Sequence, residues 1–206
     1  MMPQHRRLKY FVALSIDGFI AGPDGGDPSG WWPITDDYID FIRTDYPETL
    51  PGPARDAMGI AGPGLHFDTV IEGRRSFELG LAAGLPDAYP HLRHLVVSST
   101  LGAYPESAVE IVSDDPVGRI RDLKGEQGKD IWLVGGGTLA SSLRSEIDEL
   151  IIKLGPLTLG TGVPLWGSES DFNTEIWTNT EVRAFPGGMT LLRFERAGDD
   201  RQTVVD

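Results

Sequence analysis

The sequence predicts an α/β fold with three layers. A mostly parallel central sheet is flanked by helices and closed by a C-terminal antiparallel hairpin. Three observations carry this. Short apolar runs alternate with short amphipathic stretches through most of the 206 residues, the pattern of βα units. Residues 130–166 (DIWLVGGGTLASSLRSEIDELIIKLGPLTLGTGVPLW) read as strand, glycine turn, helix and strand. Near the end, two alternating runs flank Pro186-Gly187-Gly188, a hairpin signal.

Each element follows from local chemistry. Residues 8–16 (LKYFVALSI) are dense enough in apolar side chains for a buried strand, and Asp17-Gly18 breaks it. Phe19, Ile20 and Ala21 come next. The glycine-rich loop 22–30 (GPDGGDPSG) then lacks the side chains to pack as an element. Trp31 and Trp32 close that loop, either as a hydrophobic plug or as a stacking surface for a ligand. Thr35 is placed to cap a helix, with Asp36 and Asp37 in the first turn, where carboxylates suit the helix dipole. Tyr38, Ile39, Phe41 and Ile42 give that helix an apolar face, and it ends before Pro47. Residues 48–66 read as a long surface excursion with one helical turn at 54–58, serving as a lid or an oligomer contact.

Residues 67–71 (FDTVI) form a strand that runs through Gly73-Arg74-Arg75-Ser76 into a helix at 77–81. Strands follow at 93–98 and 109–112. Asp115 and Pro116 cap and start the next helix, which Gly125 stops. After the strand at 131–134, its glycine turn and a helix, a second apolar run spans 150–157. A turn at 160–162 precedes 163–166, and the hairpin strands lie at 173–185 and 189–196. One domain over residues 6–196 is expected, with 197–206 a frayed polar tail.

The balance of 31 acidic against 18 basic residues gives a net charge of −13. Such a surface argues against nucleic acid or an anionic membrane as partner, and it makes any local basic cluster more informative. The chain has no cysteine, which excludes disulfides and thiol nucleophiles. The four histidines (His5, His66, His91, His94) show no metal-ligand spacing, and His91 and His94 read as surface residues at a strand start. No metal site is expected. No apolar run reaches the ~18 residues of a membrane span. The basic start leads straight into a strand rather than a signal core, so a cytoplasmic location is expected.

Three strand-end loops suit phosphate. Gly73-Arg74-Arg75-Ser76 places two guanidinium forks at a helix start, where positive charge is unfavourable without an anion. Two ordinary surface arginines are the alternative. Ser98-Ser99-Thr100 offers hydroxyls for a ribose or phosphate, although serines also fill ordinary turns. Val134-Gly135-Gly136-Gly137-Thr138 bares a backbone that a ligand can approach closely. It is not the GxGxxG fingerprint, and GxSxG, P-loop and HExxH motifs are absent too. The absence of a protein nucleophile fits chemistry carried by a bound cofactor.

Five segments in this order resemble the dihydrofolate reductase-like superfamily: VALSIDGFIAGPDG, FDTVIEGRRSFE, LVVSST, IWLVGGGTLASSL and IDELIIKLGPLTLGTGVPLW. The resemblance spans residues 8–196. It is nearest to the reductase domain of the riboflavin-pathway deaminase–reductase and its stand-alone relatives, and the zinc deaminase half (HxE with PCxxC) is absent from this sequence. The resemblance implies NADPH extended across the sheet. Ala13 and Ile20 would meet the nicotinamide, with loop 22–30 moving over it. Gly73, Arg74, Arg75 and Ser76 would cover the pyrophosphate and the 2′-phosphate, with Ser98 and Ser99 by the adenosine ribose phosphate. Val134, Gly135, Gly136, Gly137 and Thr138 would line the pyrophosphate, with a cis Gly135–Gly136 bond.

Dihydrofolate reductases carry one buried acid on the first helix. Here Asp36 and Asp37 are the catalytic candidates, with Asp40 nearby, and all three could simply serve the helix dipole. Glu72, beside the expected phosphates, would point away or bind a ribose hydroxyl. The resemblance implies reduction of a small heterocyclic or sugar-phosphate substrate, as in 5-amino-6-(5-phosphoribosylamino)uracil reduction. A pterin reductase and a non-catalytic NADPH-binding module are the alternatives. A homodimer is expected, with 156–166 and 48–66 as candidate contacts.

Overall fold

The computed structural model describes residues 5–26, 28–102, 107–168 and 172–197. The polar tail beyond Ala197 lies outside them. Strands β1 (Leu8–Leu14), β3 (Phe67–Gly73), β4 (Arg93–Val97), β5 (Glu110–Val112), β6 (Asp130–Gly135), β7 (Ile147–Leu154), β9 (Trp177–Ala184) and β10 (Thr190–Arg196) form one sheet, ordered β5-β4-β3-β6-β1-β7-β10-β9. Pairing is parallel from β5 to β7 and antiparallel from β7 to β9. Short β2 (Phe19–Ala21) and β8 (Val163–Pro164) pair separately.

The helices are α1 (Asp36–Asp45), α2 (Gly52–Ala57), α3 (Arg74–Ala82), α4 (Pro116–Gly125) and α5 (Gly137–Ser142). Alternation along the strands sorts the core into two layers. Ile120 and Leu123 of α4, Leu139 and Ala140 of α5, and Leu143 just after it pack on Leu8, Tyr10, Ile71, Leu95, Ile131 and Leu133. On the opposite face, Phe41 and Ile42 of α1 meet Phe11, Val70, Trp132, Ile151 and Leu191. Phe77 of α3 covers Val96 on the α1 side.

Aspartates at neighbouring strands hold the first strand in place. Asp130 accepts from the Arg7 amide at 2.9 Å, and Asp148 accepts from the Leu8 amide at 2.7 Å. Glu149, fully buried, lies 3.0 Å from Lys9 Nζ and 2.6 Å from Arg193 Nη2. Burial opposes its ionisation, but Lys9 and Arg193 hold its carboxyl below the usual range.

Several expectations change on contact with the structure. The excursion 48–66 is bound down at the amino end of β3, away from the strand carboxyl ends, so it is no lid over the phosphate loops. Buried Glu48 accepts from the His66 and Phe67 amides at 2.6 and 2.9 Å, and buried Arg55 donates to the Pro47 and Gly62 carbonyls at 2.8 Å. Thr35 occupies the N-cap position of α1, yet its side chain makes no capping bond. Asp115 does cap α4, accepting from the Gly118 amide at 2.8 Å. His94 is buried, not a surface residue: it lies on β4 beneath α3, in edge contact with Phe77 and Tyr89.

Candidate functional site

Parallel pairing brings the carboxyl ends of β3, β4, β6, β1 and β7 to one edge of the sheet, where ligands of open α/β sheets bind. Strand β6 lies between β3 and β1, so the glycine turn occupies the middle of that edge. Gly73 stands beside it: a Cβ on Gly73 would lie 3.9 Å from the Gly135 carbonyl. Ser98 directly follows β4, which pairs with β3 through Gly73 and Val97. The three expected phosphate loops are therefore neighbours.

The three glycines of the turn do different work. A side chain on Gly135 would meet nothing within 4 Å, so the space over it is open. Gly136 holds φ 89°, a left-handed value that favours glycine. Gly137 faces protein instead: a Cβ there would lie 2.4 Å from the Pro164 carbonyl oxygen and 2.5 Å from the Gly167 nitrogen. The expected cis Gly135–Gly136 bond is not found. All described peptide bonds are trans, and the turn is made by glycine φ values that other residues rarely adopt.

The arginines behave differently from each other. Arg74 donates to Thr100 Oγ1 at 3.2 Å and lies 3.7 Å from Glu78. Among the described residues exposed Arg75 has no hydrogen-bond or ion-pair partner, and its Cδ borders Gly25 of the glycine-rich loop. Ser76 is half-buried, while Ser99 and Thr138 are exposed. The Ser98 hydroxyl is largely spent on its own turn, accepting from the Leu101 amide at 2.9 Å. Open space over Gly135, bare backbone at Gly136 and an unpaired guanidinium fit a phosphate-bearing cofactor.

Glu72 points away from these loops. Its carboxylate lies 2.8 Å from His94 Nε2, and Asp87 lies 2.8 Å from His94 Nδ1. Burial opposes charge on His94, but the bonds to Asp87 and Glu72 raise its pKa to about 9. The group ties the segment after α3 back to β3, beneath the start of the arginine helix.

On the α1 side, Ala13 is half-buried and pairs with Lys153 of β7. Val134 packs partly against the same layer. Ile20, on β2, is half-buried and packs against the opposite layer. Asp37 is engaged: its carboxylate accepts from the Thr35 hydroxyl and, at 2.8 Å, from the Gly187 amide, which hold its pKa below the usual range. Asp36 is exposed, and Asp40 pairs with Arg43 at 3.2 Å. Trp32 is buried against Gly155 and acts as a plug, while Trp31 is more exposed. Asp17, of the SIDG stretch, accepts from the Leu159 and Gly160 amides and so ties the first loop to the segment after β7.

Sequence reasoning missed Lys153, the one basic residue in the apolar run that became β7, and its neighbour Tyr38. A cleft of about 310 Å³ between α1 and the β9–β10 hairpin, lined by Asp45, His66, Glu181 and Arg193, lies away from the strand carboxyl ends. Among the described residues no cluster of His, Asp or Glu could hold a metal ion, and no helix is long and apolar enough to cross a membrane.

This sheet order, with an antiparallel hairpin added to parallel strands, has clear structural counterparts. A protein from Shewanella sp. PV-4 named for riboflavin biosynthesis superposes with a TM-score of 0.63 at 20% identity, covering 93% of this chain and 99% of the other. A pyrimidine reductase-like protein from Corynebacterium diphtheriae superposes at 0.59 with 14% identity, covering 94% and 93%. These likenesses define an α/β reductase-like fold. Residues 67–191 match the RibD C-terminal domain, and the chain belongs to that family of riboflavin-biosynthesis-type reductases. Relatives include YwjB of Bacillus subtilis, 28% identical over 163 residues (78% of this chain, 83% of the relative), and YyaP, 29% identical over 175 residues (79% and 81%). Both carry the description uncharacterized.

Proposed function

We propose that this protein is an NADPH-dependent reductase of a small heterocyclic or sugar-phosphate substrate, of the 5-amino-6-(5-phosphoribosylamino)uracil type. The observation that carries the reading is the convergence of Gly73–Ser76, Ser98–Thr100 and Gly135–Thr138 at one sheet edge, with Arg75 unpaired. Bound NADPH would supply a hydride to a C=N or C=O carbon. Gly135 and Gly136 would let phosphate oxygens approach the backbone, and Arg75, with Arg74, would take the 2′-phosphate. Ala13 and Val134 would floor the nicotinamide end, and the loop beside Arg75 would exclude water. A pterin substrate would ask for a free carboxylate on α1. The acid of a dihydrofolate reductase is buried, whereas here Asp36 and Asp40 are exposed and Asp37 is committed to the hairpin turn, which favours the pyrimidine-type substrate.

Stopped-flow NADPH oxidation with the phosphoribosylaminouracil and with dihydrofolate tests this. Turnover of the first and not the second is expected. Tryptophan quenching by NADPH without oxidation of either would leave a binding module. The protein is also proposed to be a homodimer. Edge strand β9 and the segment before it expose Phe172, Ile176 and Val182 at 99%, 58% and 64%, apolar surface that suits a second copy.

A further inference from the structure

The described acids outnumber the bases, and almost every described cation is matched to a carboxylate or a backbone carbonyl. Two are not. Arg75 is one, at the phosphate loops. Lys153 is the other, near the carboxyl end of β7, where no carboxylate lies within 4.0 Å of its ammonium. Its Nζ sits 4.2 Å from the centroid of the Phe11 ring and 3.5 Å from the Tyr38 hydroxyl. The acids close at hand are already used. Asp37, adjacent to Tyr38, is held by Gly187 and Thr35, and Glu149, on the same face of β7, is held by Lys9 and Arg193.

The cation–π contact with Phe11 anchors the lysine stem but leaves the ammonium without an anionic acceptor. Tyr38 adds a hydroxyl beside it. Lys153 pairs with Ala13, so the two side chains leave the sheet on the same face, below α1. Strand β1 alone separates β7 from β6, placing Lys153 about 10 Å from the glycine turn by the spacing of two strands. Unpaired cations thus stand at two separate stations along the same edge.

We propose that Lys153 and the Tyr38 hydroxyl form a subsite for an anionic oxygen of the substrate, phosphate or carboxylate, on the Ala13 side of the edge. This rests on the reductase reading, in which Arg75 and the glycine turn serve the cofactor. It makes Lys153 a specificity residue: substrates with an anionic oxygen bind, and their neutral counterparts do not.

Calorimetry on the full chain saturated with NADP+ tests it, with ribose 5-phosphate and orotate as probes and ribose and uracil as neutral controls. At least one anion binds the wild type while the controls do not. Lys153→Met weakens that anion tenfold or more and leaves NADP+ affinity within twofold. Tyr38→Phe, which removes a hydroxyl alone, weakens it about threefold and decides the matter should Lys153→Met fail to fold. The phosphate and carboxylate arms tell the two sources apart. Equal anion affinity in the variants, or no anion binding to the NADP+-loaded wild type, overturns the subsite with the cofactor reading intact. Parallel loss of NADP+ and anion in Lys153→Met also overturns it, assigning the lysine to the cofactor. A wild type that does not bind NADP+ overturns the reductase reading and this subsite together.

Discussion

Arg75 stands in solvent beside Gly25 with no acid to hold it, in a chain of net charge −13. Its neighbour Arg74 is only loosely tied to Glu78 and Thr100. Under the proposed function, Arg75→Ala lowers NADPH affinity roughly ten- to hundredfold, the worth of charge-assisted hydrogen bonds to a phosphate, and NADH affinity by about threefold or less. Fluorescence titration with both cofactors measures this, and equal losses would remove the 2′-phosphate contact. Asp37 invites a different substitution. Asp37→Asn keeps an acceptor for the Gly187 amide, so activity within about threefold of wild type is expected. Loss of the ~100-fold or more that general acid–base groups supply, with unchanged melting temperature, would restore Asp37 as a catalytic acid. At this scale the sequence spoke clearly where chemistry is local. The arginine pair and the glycine triplet were visible as strings of letters. The use of Asp37 was not, because its partner Gly187 lies 150 positions away.

Elements are legible in the sequence because periodicity and caps act within a dozen residues: α4 begins at Pro116 behind its Asp115 cap, as the sequence predicts. What lay between elements was harder. His94 sits in an apolar strand pattern, yet its acceptors Glu72 and Asp87 come from β3 and from the segment after α3. This junction has a pH signature. The folded pKa near 9 exceeds the ordinary 6.5, so its stabilisation is fully present below pH 6.5 and is lost as pH rises through 9. Urea unfolding should lose on the order of 3 kcal/mol across that window. His94→Gln should flatten the dependence; an unchanged slope would show that another group titrates. The glycine turn makes a companion prediction. Gly137→Ala forces a methyl against Pro164 and Gly167, and about 1–3 kcal/mol of stability should go with it. Calorimetric melting of the apo-protein reads that loss without any ligand.

Over the whole molecule, strand content and the parallel-then-antiparallel plan were legible, while strand order was not, since nothing local says that β6 enters between β3 and β1. The exposed flank of β9 is likewise a property of the finished sheet. Under the proposed homodimer, Val182→Lys places a charge on that edge and is expected to turn a dimer into a monomer by light scattering; a mass equal to that of the wild type would remove β9 as the contact. The central position of β1 bears on how the protein is made. Its Leu8 amide is bonded to Asp148, 140 positions later, and its Arg7 amide to Asp130, 123 positions later. At the ~5–20 residues per second of translation, the first strand is made roughly six to thirty seconds before its neighbours exist. Its apolar run LKYFVAL, buried on both faces in the end, lacks both of its partner strands during that interval. The nascent chain therefore emerges with this central strand unpaired, and its native pairing waits until β6 and β7 have been made.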